Sequence, residues 1–299
     1  MSLFAHLQES AIQALGLNDD ERIERIRSGR WIGYPQAKLA MARLNELLVH
    51  PQISRMPNLL IVGDTNNGKT MLVQRFRNQH PAHDNPHGDA IVVPVLYVQA
   101  PPVPDEGRLY NNILEQLFAP YRAGERIDKK QSQVLKLLKS VGLRMLIIDE
   151  IQHVLAGSLN RQRTFLNVLK YIGNELQVPI VAVGIKDAFR AIQTDPQLAN
   201  RFEPIWLPRW QMDSDFKRLL VSFERMLPLR EASELHNPEL ANRLLGMSEG
   251  LIGELSRILN EAAVLAIRSG KEQIDTQILD GMGWCTPSER KRQLDKRGS

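Results

Sequence analysis

Eight consecutive residues, Gly63, Asp64, Thr65, Asn66, Asn67, Gly68, Lys69 and Thr70, match the spacing G-x-x-x-x-G-K-[ST] at every fixed position. Glycine at both ends of such a loop permits backbone conformations that a side chain obstructs. Successive N–H groups can then turn toward phosphate oxygens. The Lys69 ammonium would reach the terminal phosphates, and the Thr70 hydroxyl would ligate Mg2+. Met71 carries the chain into a helix whose N-terminus adds partial positive charge. The apolar run LLIV (59–62) stands directly before the loop, so strand, loop and helix follow in the required order. A chance Gly/Asn-rich turn fits that context less well than a site for a nucleoside triphosphate with Mg2+.

A second stretch adds hydrolytic chemistry. RMLIIDE (144–150) reads as a buried strand ending in two carboxylates. Asp149 would hold Mg2+ directly or through a water, and Glu150 would polarise an attacking water. Binding alone does not need the second carboxylate, so the pair points to hydrolysis rather than transfer to a metabolite. The plainer reading is an acidic pair capping the next helix.

The chain around these motifs has 299 residues, 43% hydrophobic and 24% charged, enough for roughly two packed units. Strands are expected at 59–62, 90–100, 144–150, 178–184 and 203–208, with helical patterns between them. That alternation predicts an α/β fold, a parallel sheet sandwiched by helices. From Met212 onward every periodic segment is helical. The expected organisation is a helical extension at 1–30, an α/β core at 31–211, a helical domain at 212–284 and a basic tail at 285–299 without fixed structure. A single cysteine, Cys285, excludes an internal disulfide framework and a cysteine-rich zinc site. No apolar run approaches the roughly 20 residues of a membrane span, and the N-terminus lacks a signal-peptide pattern, so a cytoplasmic protein without a membrane partner is expected. A formal net charge of +4 is a mild bias toward polyanions.

Five phrases together resemble the AAA+ ATPases and, within them, the TniB family of transposition ATPases. They are WIGYPQA (31–37), RMPNLLIVGDTNNGKT (55–70), LIIDEIQHVLAG (146–157), PIVAVGIKDA (179–188) and LANRFEPIWLPRW (198–210). The resemblance implies an AAA+ P-loop core that binds ATP with Mg2+, with a small C-terminal helical lid. It places Ile32, Gly33 and Tyr34 beside the adenine, although an aromatic packed on the first helix would look the same. It makes Arg201 a trans-acting arginine finger that completes a neighbouring subunit's site, against the alternative of a helix-ending surface arginine. Arg257 takes the sensor 2 position on a lid helix, or is an ordinary surface arginine. One position departs from the AAA+ pattern: the fourth strand normally ends in a polar sensor 1 side chain, whereas here Gly184 is followed by Ile185 and Lys186. Either hydrolysis is slow or another residue takes that task. Gln99, ending the second strand, is the candidate for the polar group restraining Glu150.

The resemblance also implies partners. An ATP-loaded homo-oligomer (ring, spiral or filament) would assemble on duplex target DNA, recruit a DDE-type transposase and cooperate with a TniQ-like target selector. Such a protein would be nucleoid-associated when bound to DNA. Arg122, Arg126, Lys129 and Lys130 form the candidate phosphate-tracking cluster, with a solvated helix face as the alternative. The RKR and KR groups of the tail suit a flexible contact with DNA or transposase. His80, His83 and His87 lie in a Pro/Asn loop without carboxylates at ligand spacing, which argues against a metal cluster. His153 reads as polar packing. An AAA+ helicase loader or initiator-like ATPase, and a nucleotide-gated DNA scaffold with negligible turnover, share these motifs. A P-loop metabolite kinase fits them least.

Overall fold

The computed structural model describes residues 4–86, 88–193 and 195–297, which divide into two compact units, Pro35–Leu207 and a second made of the N-terminal segment to Tyr34 with the segment from Pro208. Along the chain, α1 (Glu9–Ala14) and α2 (Asp19–Arg27) precede α3 (Pro35–Leu48), β1 (Asn58–Gly63) and α4 (Lys69–Gln79). Next come β2 (Val95–Gln99), α5 (Glu106–Gln116), α6 (Ile127–Ser140) and β3 (Met145–Asp149). A 3-10 turn (Ile151–Ala156) leads to α7 (Leu159–Leu176), β4 (Ile180–Gly184), α8 (Lys186–Gln193), α9 (Pro196–Ala199) and β5 (Phe202–Leu207). The chain ends in α10 (Ser214–Met226), α11 (Pro238–Ser248), α12 (Ile252–Arg268), α13 (Thr276–Gly281) and α14 (Pro287–Arg297).

The five strands form one parallel sheet in the order β2-β3-β4-β1-β5. Every residue of β1, β3 and β4 is buried, as expected of strands covered on both faces. Edge strand β5 instead mixes buried Phe202, Ile205 and Leu207 with exposed Glu203, Pro204 and Trp206. Because all strands run the same way, the loops after β1, β3 and β4 emerge on one edge of the sheet, where ligands of open α/β sheets bind. The second strand is shorter than the run 90–100 suggests. Pro94 has no N–H to give a ladder, and its carbonyl instead accepts from Arg144 and Met145 at 2.9 and 3.0 Å.

The helical unit corrects two expectations. The extension expected at 1–30 is not separate at α2: Ile23 and Ile26 lie in the same apolar core as Leu220, Leu244, Leu259 and Ile267. Arg22, fully buried on α2, donates to Glu272 at 2.5 and 2.8 Å and to the Pro228 carbonyl at 2.6 Å. The tail is not structureless either. Thr286 and Glu289 exchange backbone-to-side-chain bonds at 2.8 and 3.3 Å, a capping box that starts α14. Arg290 then pairs with Glu254 at 2.6 Å, and Ser288 bonds the Glu249 carboxylate through both its N–H and its hydroxyl.

Candidate nucleotide site

The phosphate loop is shaped by its left-handed residues. Gly68 has φ 81° where α4 begins, a conformation open to glycine at little cost, and Asn66 has φ 61°, which asparagine tolerates better than most residues. Asn67 is 2% exposed and donates to the Leu207 carbonyl at 2.8 Å, tying the loop to the end of β5. Gly63 lies against the same residue: a Cβ there would stand 3.1 Å from the Leu207 oxygen. Lys69 is buried at 7% exposure, and its Nζ donates to the Asp64 carbonyl inside the loop at 2.8 Å. Burial lowers its pKa, while the charges of Glu150 and Asp149 work in the opposite direction. Thr65 and Asn66 face solvent, as does Met71.

Asp149 is the polar centre of this edge, 1% exposed at the end of β3. Its Oδ2 accepts from the Thr70 hydroxyl and the Tyr97 hydroxyl, each at 2.8 Å, and its Oδ1 accepts from the Glu150 N–H at 2.8 Å. Burial, followed by the negative charge of Asp149, pushes the Tyr97 pKa well up and keeps it a donor. Thr70 and Asp149 thus present a hydroxyl oxygen and a buried carboxylate oxygen 2.8 Å apart. That pair fits Mg2+, a hard cation that takes one or two protein oxygens and completes its shell with phosphates and water. The loop N–H groups and Lys69 would hold the phosphates themselves.

Glu150 adopts a left-handed backbone, φ 57° and ψ 36°. Its carboxylate accepts a short hydrogen bond from Gln152 Nε2. Gln99, the expected partner, is not that group: its side chain is exposed, and its carbonyl accepts from Asn112 at 3.0 Å. Tyr97 and Gln152 are the site residues that motif reading misses. Tyr97 was findable, being the one hydroxyl in an apolar run and two residues from Gln99, which pairs with Asp149 across β2 and β3. Gln152 lies inside IQHVLA, where its sequence context reads like that of any solvent-facing amide.

Arg201 stands elsewhere. It precedes β5 and donates to Asn174 Oδ1 at 2.8 Å, while its carbonyl accepts from the Asn58 N–H at 2.9 Å. Asn58 opens β1 and Gly63 closes it, so Arg201 sits at the opposite edge of the sheet from the phosphate loop, roughly 17 Å away along the strand. Within the helical unit, the Tyr34 ring packs edge-on to Trp210 at 5.1 Å, and burial raises the Tyr34 pKa to about 12. Ile32 packs against that unit's core. Arg257 on α12 donates to Glu261 at 3.0 Å and stacks over Trp284 at 5.1 Å.

The basic cluster is less available than its sequence suggests. Lys130 is 4% exposed, donates to the Ala123 carbonyl at 2.9 Å and lies over the Tyr121 ring, so it does not face DNA as it stands. Lys129 pairs with Glu125 and Arg126 with Asp128; Arg122 is exposed. His80 stacks on Phe76 and His83 bridges to Val92, whereas His87 lies outside the described residues. Among the described residues no group of three or more His, Cys, Asp and Glu could hold a metal ion. His153 lies 3.4 Å from the Ala100 carbonyl, and Cys285 is partly buried with a free thiol.

Comparison with curated proteins gives no match. Among solved structures, the chain is similar to the ORC2 protein of Aeropyrum pernix in ADPNP–ADP complexes, with TM-score 0.60 and 18% identity over 85% of this chain and 70% of that one. It is similar to the ORC1 protein of Aeropyrum pernix in complex with DNA, with TM-score 0.57 and 16% identity over 87% and 68%. It is also similar to the Cdc6p protein of Pyrobaculum aerophilum, with TM-score 0.56 and 15% identity over 86% and 68%. At these identities the likeness establishes the AAA+ fold. The model for the bacterial TniB protein matches residues 22–212, well over half of the chain. The protein therefore belongs to the TniB family and is an ATPase of that transposition-associated AAA+ group.

Proposed function

We propose that this protein is an ATP-dependent regulator of DNA transposition that assembles head-to-tail on duplex target DNA. One observation carries the reading: Arg201 lies at the sheet edge opposite its own phosphate loop, too far to serve it. A guanidinium so placed acts on phosphates only if a neighbouring subunit brings its loop to it. Contacts that join one edge to the opposite edge of the next copy are heterologous and generate rings or helical filaments. Mg2+ would be held by Thr70 and Asp149, water polarised by Glu150, and charge in transit stabilised by the neighbour's Arg201. Ile32, Tyr34 and Arg257 are the proposed base and lid contacts. The assembled form would recruit a DDE-type transposase and meet a TniQ-like selector, and hydrolysis would dismantle it. Arg122, Arg126 and Lys129 are the cations offered to DNA phosphates. No described helix is long and apolar enough to cross a membrane.

A second reading, a scaffold with negligible turnover, is favoured by Ile185 at the end of β4. Electron microscopy and sedimentation of the protein on duplex DNA with a non-hydrolysable ATP analogue test the proposal. Ordered oligomers are expected for the natural protein and none for Lys69→Ala, whose loss of a buried phosphate partner weakens nucleotide binding by on the order of 100-fold. Equal assembly by both proteins refutes it. Co-precipitation with a replicative helicase and not with a transposase would move the protein to the loader class.

A further inference from the structure

Strand β4 lies between β1, which carries the phosphate loop, and β3, which carries Asp149 and Glu150. Its C-terminal end therefore opens at the middle of the site, yet Gly184 and Ile185 give that point no polar side chain. The polar group comes from the neighbouring strand's loop. Gln152 Oε1 accepts from the Ile185 N–H at 3.3 Å, and Gln152 Nε2 donates to Glu150 Oε2. Glycine at 184 makes the bridge possible: a Cβ there would collide with Gln152 Oε1 and stand 2.7 Å from the Ala188 Cβ.

The direction of the bridge matters. A primary amide has one accepting end and one donating end. Anchoring the oxygen on a backbone N–H compels the amide to present N–H, not oxygen, to the carboxylate. Glu150 is constrained at its backbone as well, through its left-handed conformation and its N–H bond to Asp149. One carboxylate oxygen is thus engaged by Gln152, which leaves the other as the basic oxygen.

We infer that Gln152 is a positioning residue for ATP hydrolysis, fixing the Glu150 carboxylate from the end of β4 and standing in for the polar side chain that strand lacks. The inference rests on Glu150 being the water-polarising base. Gln152 itself touches neither phosphate nor metal in this role.

The test is steady-state ATP hydrolysis by the full-length protein with Mg2+, with and without duplex DNA, alongside the Kd of a fluorescent ATP analogue and the Tm. Gln152→Ala is expected to lower kcat by about 10- to 100-fold, the cost of a misplaced catalytic group, while KM and Kd stay within about twofold. Gln152→Glu keeps the length and can still accept from Ile185, but it sets a second carboxylate against Glu150. Its kcat is expected to fall at least as far. Normal or faster turnover in either variant overturns the inference, because a space-filling residue tolerates the glutamate. So does a fall in kcat matched by loss of nucleotide affinity or Tm. Glu150→Gln, run in parallel, separates the two assignments: if it retains turnover the base itself is wrong, and if it alone is inactive only Gln152 is wrongly placed.

Discussion

The two edges of the central sheet are built on different principles. At the C-terminal edge, Lys69, Asp149 and Asn67 are all under 8% exposed, and Thr70, Tyr97, Glu150 and Gln152 are joined to them or to one another by hydrogen bonds. At the N-terminal edge, Arg201 is held by one neutral partner, Asn174, beside the half-buried Lys170–Asp195 pair at 2.8 Å. Hydrogen bonds from Lys170 and two backbone N–H groups keep the Asp195 carboxyl below its usual range although burial alone would raise it. One edge is a hydrogen-bonded cluster of polar and charged groups, and the other presents a charge on a braced segment. The proposed sharing of Arg201 between copies turns on this difference, a hydrogen-bonded cluster at one edge and a guanidinium on a neutral partner at the other.

The largest expected effect breaks this comparison in solution. Arg201→Ala should bind nucleotide normally but lose turnover by about 10³-fold, as fingers supplied in trans do. Glu150→Gln should lose about 10²- to 10⁴-fold. Mixing the two inactive proteins with DNA should restore phosphate release, because an Arg201→Ala subunit retains its base and an Glu150→Gln neighbour retains its finger. A mixture as inactive as its parts would place Arg201 outside the reaction.

A smaller effect separates bracing from chemistry at the N-terminal edge. Asn58 accepts from the buried Ile180 N–H at 2.9 Å. Asn58→Ala leaves that donor unpaired and should cost about 1–3 kcal/mol, read as a lowered Tm. Nucleotide affinity should hold below the new transition; a loss of affinity at unchanged Tm would mean this edge communicates with the phosphate loop. The smallest effect concerns the basic first turn of α6. Lys129→Ala should lower the magnitude of the salt slope of DNA binding by about one, while Lys130→Ala should act through local stability instead. Equal salt slopes for both variants and the natural protein would remove the start of α6 from the DNA interface.

These contrasts show what could be read before the fold was known. The buried runs around 60, 146 and 181 and the glycine spacing announce strands and loop, because apolar periodicity and left-handed turns are local properties. The phrase LANRF marks Arg201, but its remoteness from the loop follows only from strand register. Lys130 and Gln99 failed for a related reason. Their residue types are right for their tasks, yet a buried helix ammonium bonded back to the Ala123 carbonyl and an outward-facing amide are decided by side-chain direction. Gln152 was invisible because its meaning depends on the missing side chain at Gly184, 32 residues later in the chain. The basic tail misled through composition, since a capping box and an ion pair are enough to order a short charged helix.

The long reach of the phosphate loop has a consequence for how the protein is made. Strand β1 pairs only with β4 and β5, and Asn67 bonds Leu207 across 140 residues of sequence. None of these partners exists when the loop leaves the ribosome. The apolar run 59–62 must therefore wait, unpaired, until most of the chain has been synthesised, which places this fold among the slow, non-local ones. Nucleotide cannot favour the native state early in synthesis, because its cradle is among the last parts of the sheet to close.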